Sequence, residues 1–248
     1  MDGLLWLPLT LGPLLFFQRR LQRETQAIFL LLTRRPEVTI ILFSLLFFPG
    51  VLLHEGSHYL VARLLGVRTG RLSLLPRPMK DGRLQMGYVE TAQVGIVRDA
   101  LIGAAPLVFG GLFVAYAGIW GLNLTAMWAP LVQGDMAALM DVIVAFPNQS
   151  DFWVWLYLTL AVSSTMLPSA SDRRAWLPLS LVILSVALLA FLLGAGSWMQ
   201  ASLAPFMNNA LRAVALVFGI SLIVHILLYP PLWGIRHLLS KITGLKVV

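Results

Sequence analysis

The sequence predicts a mainly α, polytopic membrane protein with about five to six transmembrane helices and a small membrane-associated β-sheet. Three observations lead there. Hydrophobic residues make up 58% of the 248 residues and charged residues only 12%, about half the charged fraction usual in a soluble domain. The mean hydropathy is +0.83, and the apolar residues fall into long runs rather than being spread evenly. One stretch between those runs is polar and rich in turn-forming residues. The length suits one compact membrane domain.

Residues 4–17 are apolar but interrupted by Pro8 and Pro13, short for a span, and followed by Gln18-Arg19-Arg20. No basic region precedes them and no small-x-small site follows. A retained interfacial, re-entrant or anchoring segment is therefore expected rather than a cleaved signal peptide. Residues 18–26 are polar and basic, and 27–32 are a brief apolar run. Residues 38–65 form the first convincing span. They exceed the roughly 20 residues a bilayer requires, which predicts a tilted helix or one extending past the membrane.

Residues 66–95 change character. Asp81-Gly82 is a strong hairpin signal. Leu84, Met86 and Tyr88 alternate with Gln85 and Gly87 after it, and Arg71–Leu75 precede it as the expected partner strand. Residues 100–122 form the next span, and its Gly103, Ala104, Ala105, Gly110 and Gly111 would let neighbouring helices approach closely. A long connection follows, with a short helix expected over Met136–Ala145. Residues 152–167, 177–193 and 210–228 are three further apolar runs, and the tail from Arg236 is basic. The chain thus divides into an N-terminal apolar and basic segment (1–36), a central core (37–175, including the β-region 67–95) and a C-terminal helical segment with a basic tail (176–248).

The sequence contains no cysteine, which excludes disulfides and thiolate metal sites; a metal would require His and carboxylate ligands. The formal net charge is +7. Because the arginines lie beside apolar runs, the expected partners are membrane lipids, not nucleic acid. Counting sides by parity, twelve of the eighteen basic residues fall on the C-terminal side of the 38–65 run. The positive-inside rule then expects that side and the C-terminus to be cytoplasmic.

The most informative feature is His54-Glu55-Gly56-Ser57-His58. In a helix, residues i and i+4 lie on one face, so His54 and His58 would present two imidazoles to one metal ion. Glu55 follows the first ligand and is placed to act as general base on a metal-activated water. Zinc is the expected ion, because it makes bound water acidic and polarises a carbonyl. Three polar groups in an apolar helix are costly unless partnered. A third ligand is needed, and Asp172 is the best candidate: it follows the 152–167 run on the same side as the motif, and Pro168 frees the local backbone. The alternatives for Asp172 are a helix N-cap or an ion pair with Arg173 or Arg174. Glu90 and Asp99 are weaker ligand candidates. His225, alone in its apolar run, is expected to hydrogen-bond to a neighbouring helix.

These residues resemble the site-2 protease family of intramembrane zinc metalloproteases. The likeness covers roughly residues 38–175. Residues 51–67 are similar to the family's motif helix, including Ala62-Arg63 and Gly66-Val67, and a β-rich segment follows. Gly103-Ala104-Ala105-Pro106-Leu107 resembles its Gly-Pro helix, and Thr165 through Asp172 resembles its Asn-x-x-Pro…Asp-Gly segment, which implies Asp172 as third zinc ligand. The departures are Thr165 in place of Asn, a Pro-to-Asp spacing one residue shorter, Arg173 after the Asp, Ala105 for Gly, and Phe109 where an Asn is expected.

The resemblance implies a zinc metalloendopeptidase acting on transmembrane segments of other proteins, with Leu84, Met86, Tyr88 and Pro106 as candidates for substrate contact. A substrate helix must unwind before its amides can be attacked, and the small sheet is expected either to receive it by β-augmentation or to cover the site as a structural hairpin. Two other expectations stand beside this one. The first is a catalytically impaired subunit or scaffold of a membrane complex that retains the metal. The second is a transporter or channel using the His/Glu/Asp cluster as an ion site, which a single metal-spaced motif argues against.

Overall fold

The computed structural model describes residues 2–78, 84–85 and 87–245, with the backbone alone at 77, 78, 84 and 85. It is mainly helical, with two small antiparallel strand pairs.

Helix α1 runs unbroken from Gly3 to Thr33. The sequence divided this stretch into two apolar pieces and a polar one, and the structure corrects that division. Pro8 and Pro13 each remove a helical hydrogen bond, but the helix survives because one face is packed. Leu14 and Leu21 are fully buried. Part of the polar stretch at 18–26 is turned inward and partnered: Gln18 and Gln22 donate to the Ser164 carbonyl, and Glu24 pairs with Arg236, while Arg19, Arg20, Arg23 and Gln26 stay exposed. The helix ends at Arg34, whose left-handed φ of 54° closes its N–H onto the Leu30 carbonyl.

The motif run is two helices, α2 (Pro36–Leu46) and α3 (Phe48–Leu64), bent by 69°. The surplus length is taken up by this bend and not by tilt alone. Pro49 in the first turn of α3 explains it, since its ring excludes a hydrogen bond back into α2; fully buried Phe47 is the pivot.

Strand β1 (Thr69–Ser73) then pairs with β4 (Tyr88–Thr91), and β2 (Arg77–Pro78) with β3 (Leu84–Gln85). The strand around Arg71–Leu75 therefore faces Tyr88–Thr91, with Leu72 opposite Val89 and Ser73 opposite Tyr88. It does not pair with Leu84–Gln85, because the inner pair β2–β3 intervenes. The Asp81-Gly82 turn and Met86 lie outside the described residues.

Helix α4 (Ile96–Tyr116) continues through one π turn to Gly121. Two short helices follow, α5 (Trp128–Gln133) and α6 (Met136–Ala145). Asp135 caps α6 by accepting from the Ala138 N–H. Helix α7 spans only Phe152–Ser163, about 18 Å at 1.5 Å per residue, and an irregular segment carries the chain to α8 (Trp176–Ala190). After a break at Gly194 (φ 94°) and one turn, α9 (Gly196–Trp198), α10 runs from Ala204 to Thr243. It lies parallel to α1, with Asp2 meeting Arg212 toward one end and Glu24 meeting Arg236 toward the other.

By length and composition, Ile96–Gly121 and the stretch Trp176–Thr243 can each cross a membrane, and α2 with α3 makes a third if the bent pair counts as one. Among the described residues the helices thus support two or three spans, fewer than the apolar runs suggested. The terminal segments do not stand apart from the middle of the chain. One core cluster joins Leu14 of α1 and Phe218 of α10 to Val114, Val162 and Met166, and another joins Leu21 and Val224 to Phe47 and Leu160.

Candidate metal centre

On α3 the i, i+4 spacing brings the His54 and His58 Nε2 atoms to 3.3 Å. Each ring is held from behind. His54 Nδ1 lies 2.6 Å from the Thr165 carbonyl oxygen and His58 Nδ1 lies 2.8 Å from that of Ile102. A carbonyl only accepts, so each Nδ1 carries a proton, and a neutral ring then leaves its Nε2 lone pair for a metal ion. Backbone carbonyls behind ligating imidazoles are a recurrent support of metal sites.

Both carbonyls are available for a reason written in the sequence. The helical partner of the Ile102 carbonyl would be the N–H of residue 106, and Pro106 has none. Thr165 lies past the end of α7, three residues before Pro168, and the Ser169 N–H is turned to Asp172 instead. Pro106 thus leaves one carbonyl open for His58, and the turn of the Ser169 N–H toward Asp172 leaves the other open for His54.

The third group is Asp172. Its Oδ1 is 3.4 Å from His58 Nε2 and its Oδ2 is 3.7 Å from His54 Nε2. Ser169 fixes the carboxylate from its backbone N–H at 2.7 Å and its hydroxyl at 2.6 Å. The neighbouring arginines are engaged elsewhere: Arg173 Nε donates to the Ser169 carbonyl, and Arg174 forms a two-pronged pair with Asp99 at 2.7 Å. Gly103 makes the approach sterically feasible. A Cβ there would come within 1.9 Å of the Asp172 carbonyl oxygen.

His54, His58 and Asp172 therefore form a group able to hold a metal ion, with one ligand atom from each within 4.8 Å of the others. Two imidazole lone pairs and a carboxylate converging in a protein interior repel one another unless a cation sits among them. The spacing is compatible with a small tetrahedral divalent cation, zinc among them. Tetrahedral zinc with ordinary Zn–N and Zn–O lengths sets its ligands about 3.3–3.4 Å apart, close to two of the three spacings.

Glu55 is 8% exposed and lines the same cavity, of about 610 Å³, as the three ligating groups. Gly87 covers it so closely that a Cβ would fall 2.7 Å from Glu55 Cγ and 3.0 Å from Oε1. Tyr88, Val89 and Thr91 of β4 line the cavity as well. Of the remaining substrate-contact candidates, Leu84 is described only as a β3 backbone position opposite Pro78, and Met86 lies outside the described residues. Pro106 is fully buried within α4 and does not line the cavity; its place is behind His58. Phe109 faces a separate apolar cavity of about 440 Å³ between α3, α4 and α7.

The other ligand candidates are not part of this group, although Asp99 lines the same cavity. Asp99 is paired with Arg174, Glu90 on β4 accepts from the Arg71 N–H, and His225 bonds to Ser164 of α7 from α10. The supporting carbonyls, Ser169, Gly87 and Gly103 were not read from the sequence as site residues. The prolines at 106 and 168 were the available signal. Comparison of the chain with protein-family models, with curated proteins and with solved structures finds no match in any of the three.

Proposed function

We propose that this chain is an intramembrane zinc metalloendopeptidase of the site-2 protease kind, cleaving transmembrane segments of other proteins. The observation that carries the reading is a buried carboxylate, Glu55, beside two carbonyl-anchored imidazoles and a third, serine-anchored carboxylate in one cavity. His54, His58 and Asp172 would hold the zinc, leaving Glu55 free of it. Bound zinc supplies Lewis acidity, polarising a carbonyl and making water acidic near neutral pH. Glu55 takes a proton from the attacking water as the oxygen–carbon bond forms, and returns it to the amide nitrogen as the carbon–nitrogen bond breaks. The cavity wall formed by Tyr88, Val89 and Thr91 suits an unwound substrate strand, which β4 would receive by β-augmentation.

In this reading the chain crosses the membrane five to six times, with the metal side and the C-terminus cytoplasmic. The break at Gly194 supports separate passes within Trp176–Thr243, since 68 residues of helix far exceed one bilayer. A second reading, a scaffold that keeps the metal without cleaving, is favoured by two observations: Gly87 packs over Glu55, and Phe109 points away from the centre.

Zinc content and cleavage of a panel of single-span membrane proteins separate the readings. Wild type and Glu55→Gln retain zinc and His54→Ala loses it; wild type cleaves and Glu55→Gln does not. Equal cleavage by wild type and Glu55→Gln rejects the protease, zinc without cleavage in wild type favours the scaffold, and wild type without zinc rejects the metal centre.

A further inference from the structure

The centre has a support outside the motif-bearing part of the chain. The last carbonyls of any helix lack helical partners, and at the end of α7 two consecutive ones are taken up by side chains from elsewhere. Thr165's accepts from His54. Ser164's accepts from Gln18 at 2.6 Å and Gln22 at 3.3 Å, both on α1. The Ser164 hydroxyl lies 3.0 Å from Nε2 of His225 on α10. His225 is fully buried, and its Nδ1 is 2.7 Å from the Ser221 carbonyl oxygen. Nδ1 therefore holds the proton, and Nε2 accepts from Ser164. With its N–H bonded to the Leu160 carbonyl at 3.0 Å, every polar atom of Ser164 is tied down, one residue before the carbonyl that orients His54.

We infer that Gln18, Gln22 and His225 are positioning residues of the metal centre: α1 and α10 clamp Ser164 so that the Thr165 carbonyl faces His54. The inference rests on His54, His58 and Asp172 holding a metal ion and does not depend on proteolysis. It gives the terminal helices, which carry none of the family-like motifs, a part in the chemistry. It also explains why α1 keeps two glutamines on a buried face. Their amides reach a carbonyl that the end of α7 leaves open.

Cobalt(II) binding to the full-length chain, followed through its ligand-field absorption, tests this. Wild type binds and His54→Ala does not; a wild type that binds neither cobalt nor zinc rejects the metal centre itself, not the clamp. Given a binding wild type, His225→Leu removes the acceptor, and cobalt affinity falls by about tenfold or more with a changed absorption band, as for other lost supports of a ligating histidine. His225→Gln, whose amide oxygen can replace Nε2 as acceptor, restores affinity to within about twofold. Val224→Ala, a lesion at a buried neighbour on α10, leaves affinity and band unchanged. If His225→Leu does not fold, the Gln18→Leu/Gln22→Leu pair carries the same expectation. The clamp is overturned if the acceptor-less variant binds cobalt as wild type does, if the Gln variant is as weak as the Leu variant, or if Val224→Ala weakens binding equally.

Discussion

Helices α4 and α8 are both apolar and both contain a proline, yet they are used in opposite ways. Helix α4 buries Ala100, Ile102, Gly103, Ala105, Pro106, Gly110 and Val114. Helix α8, rich in Leu, Val and Ile, buries none of its residues. Apolarity therefore does not decide which helix is packed. In a lipid-like solvent, large aliphatic side chains gain little by leaving it, and close association follows small residues. The prolines differ in the same sense. Pro106 sits mid-helix and opens a carbonyl that His58 uses, whereas Pro178 sits in the first turn, where a missing N–H interrupts nothing.

The sharpest way to break this contrast is to add bulk to each helix. Gly103→Ala places a methyl group against the Asp172 backbone, which has no side-chain freedom to yield. Metal affinity is expected to fall by about 100-fold or more, read as zinc retained after dialysis against a chelator series. Val186→Leu on exposed α8 should leave retention unchanged. Equal effects would remove the distinction between a packed and an unpacked helix.

Exchanging the prolines comes next. Pro106→Ala supplies the N–H that the Ile102 carbonyl lacks and draws that carbonyl back into the helix. Metal affinity should fall by about tenfold while the melting temperature of the metal-free protein holds or rises, since Pro in a helix interior costs about 3 kcal/mol relative to Ala. Pro178→Ala should alter neither. A parallel loss of stability and affinity in Pro106→Ala would mean that the proline acts through packing alone.

The smallest effect is expected where α1 and α10 begin, away from both helices. Asp2 accepts from Arg212 and Asn208, and these contacts hold its carboxyl below the usual carboxylate range. A depressed folded-state pKa gives stability that is present above the unfolded value of about 3.9 and is lost as pH falls through the folded one. Wild type should therefore melt slightly above Asp2→Asn from neutral pH down to about 4, and the two should converge only in stronger acid. Salt should shrink the difference, because the pair is solvent-exposed.

The sequence was read correctly where the information is local. Two histidines four apart lie on one face of any helix, so two of the three residues of the candidate metal group were placed together before folding was considered. The short helix over Met136–Ala145 and the small residues of α4 were legible for the same reason. Asp172 was reached less directly, from its side of the membrane and a resemblance. Only tertiary structure decided the rest. It turned Gln18, Gln22 and Glu24 of α1 inward, bent the motif run at Phe47, and moved the partner of Arg71–Leu75 to Tyr88–Thr91. It also moved Pro106 from a supposed substrate wall to the support behind His58. The physical reason is range: periodicity follows from backbone geometry within a few residues. The bond from His54 to Thr165 spans 111 positions and that from Gln18 to Ser164 spans 146. Such bonds exist only because the packing of α1, α3, α7 and α10 brings an open carbonyl and a donor to the same point.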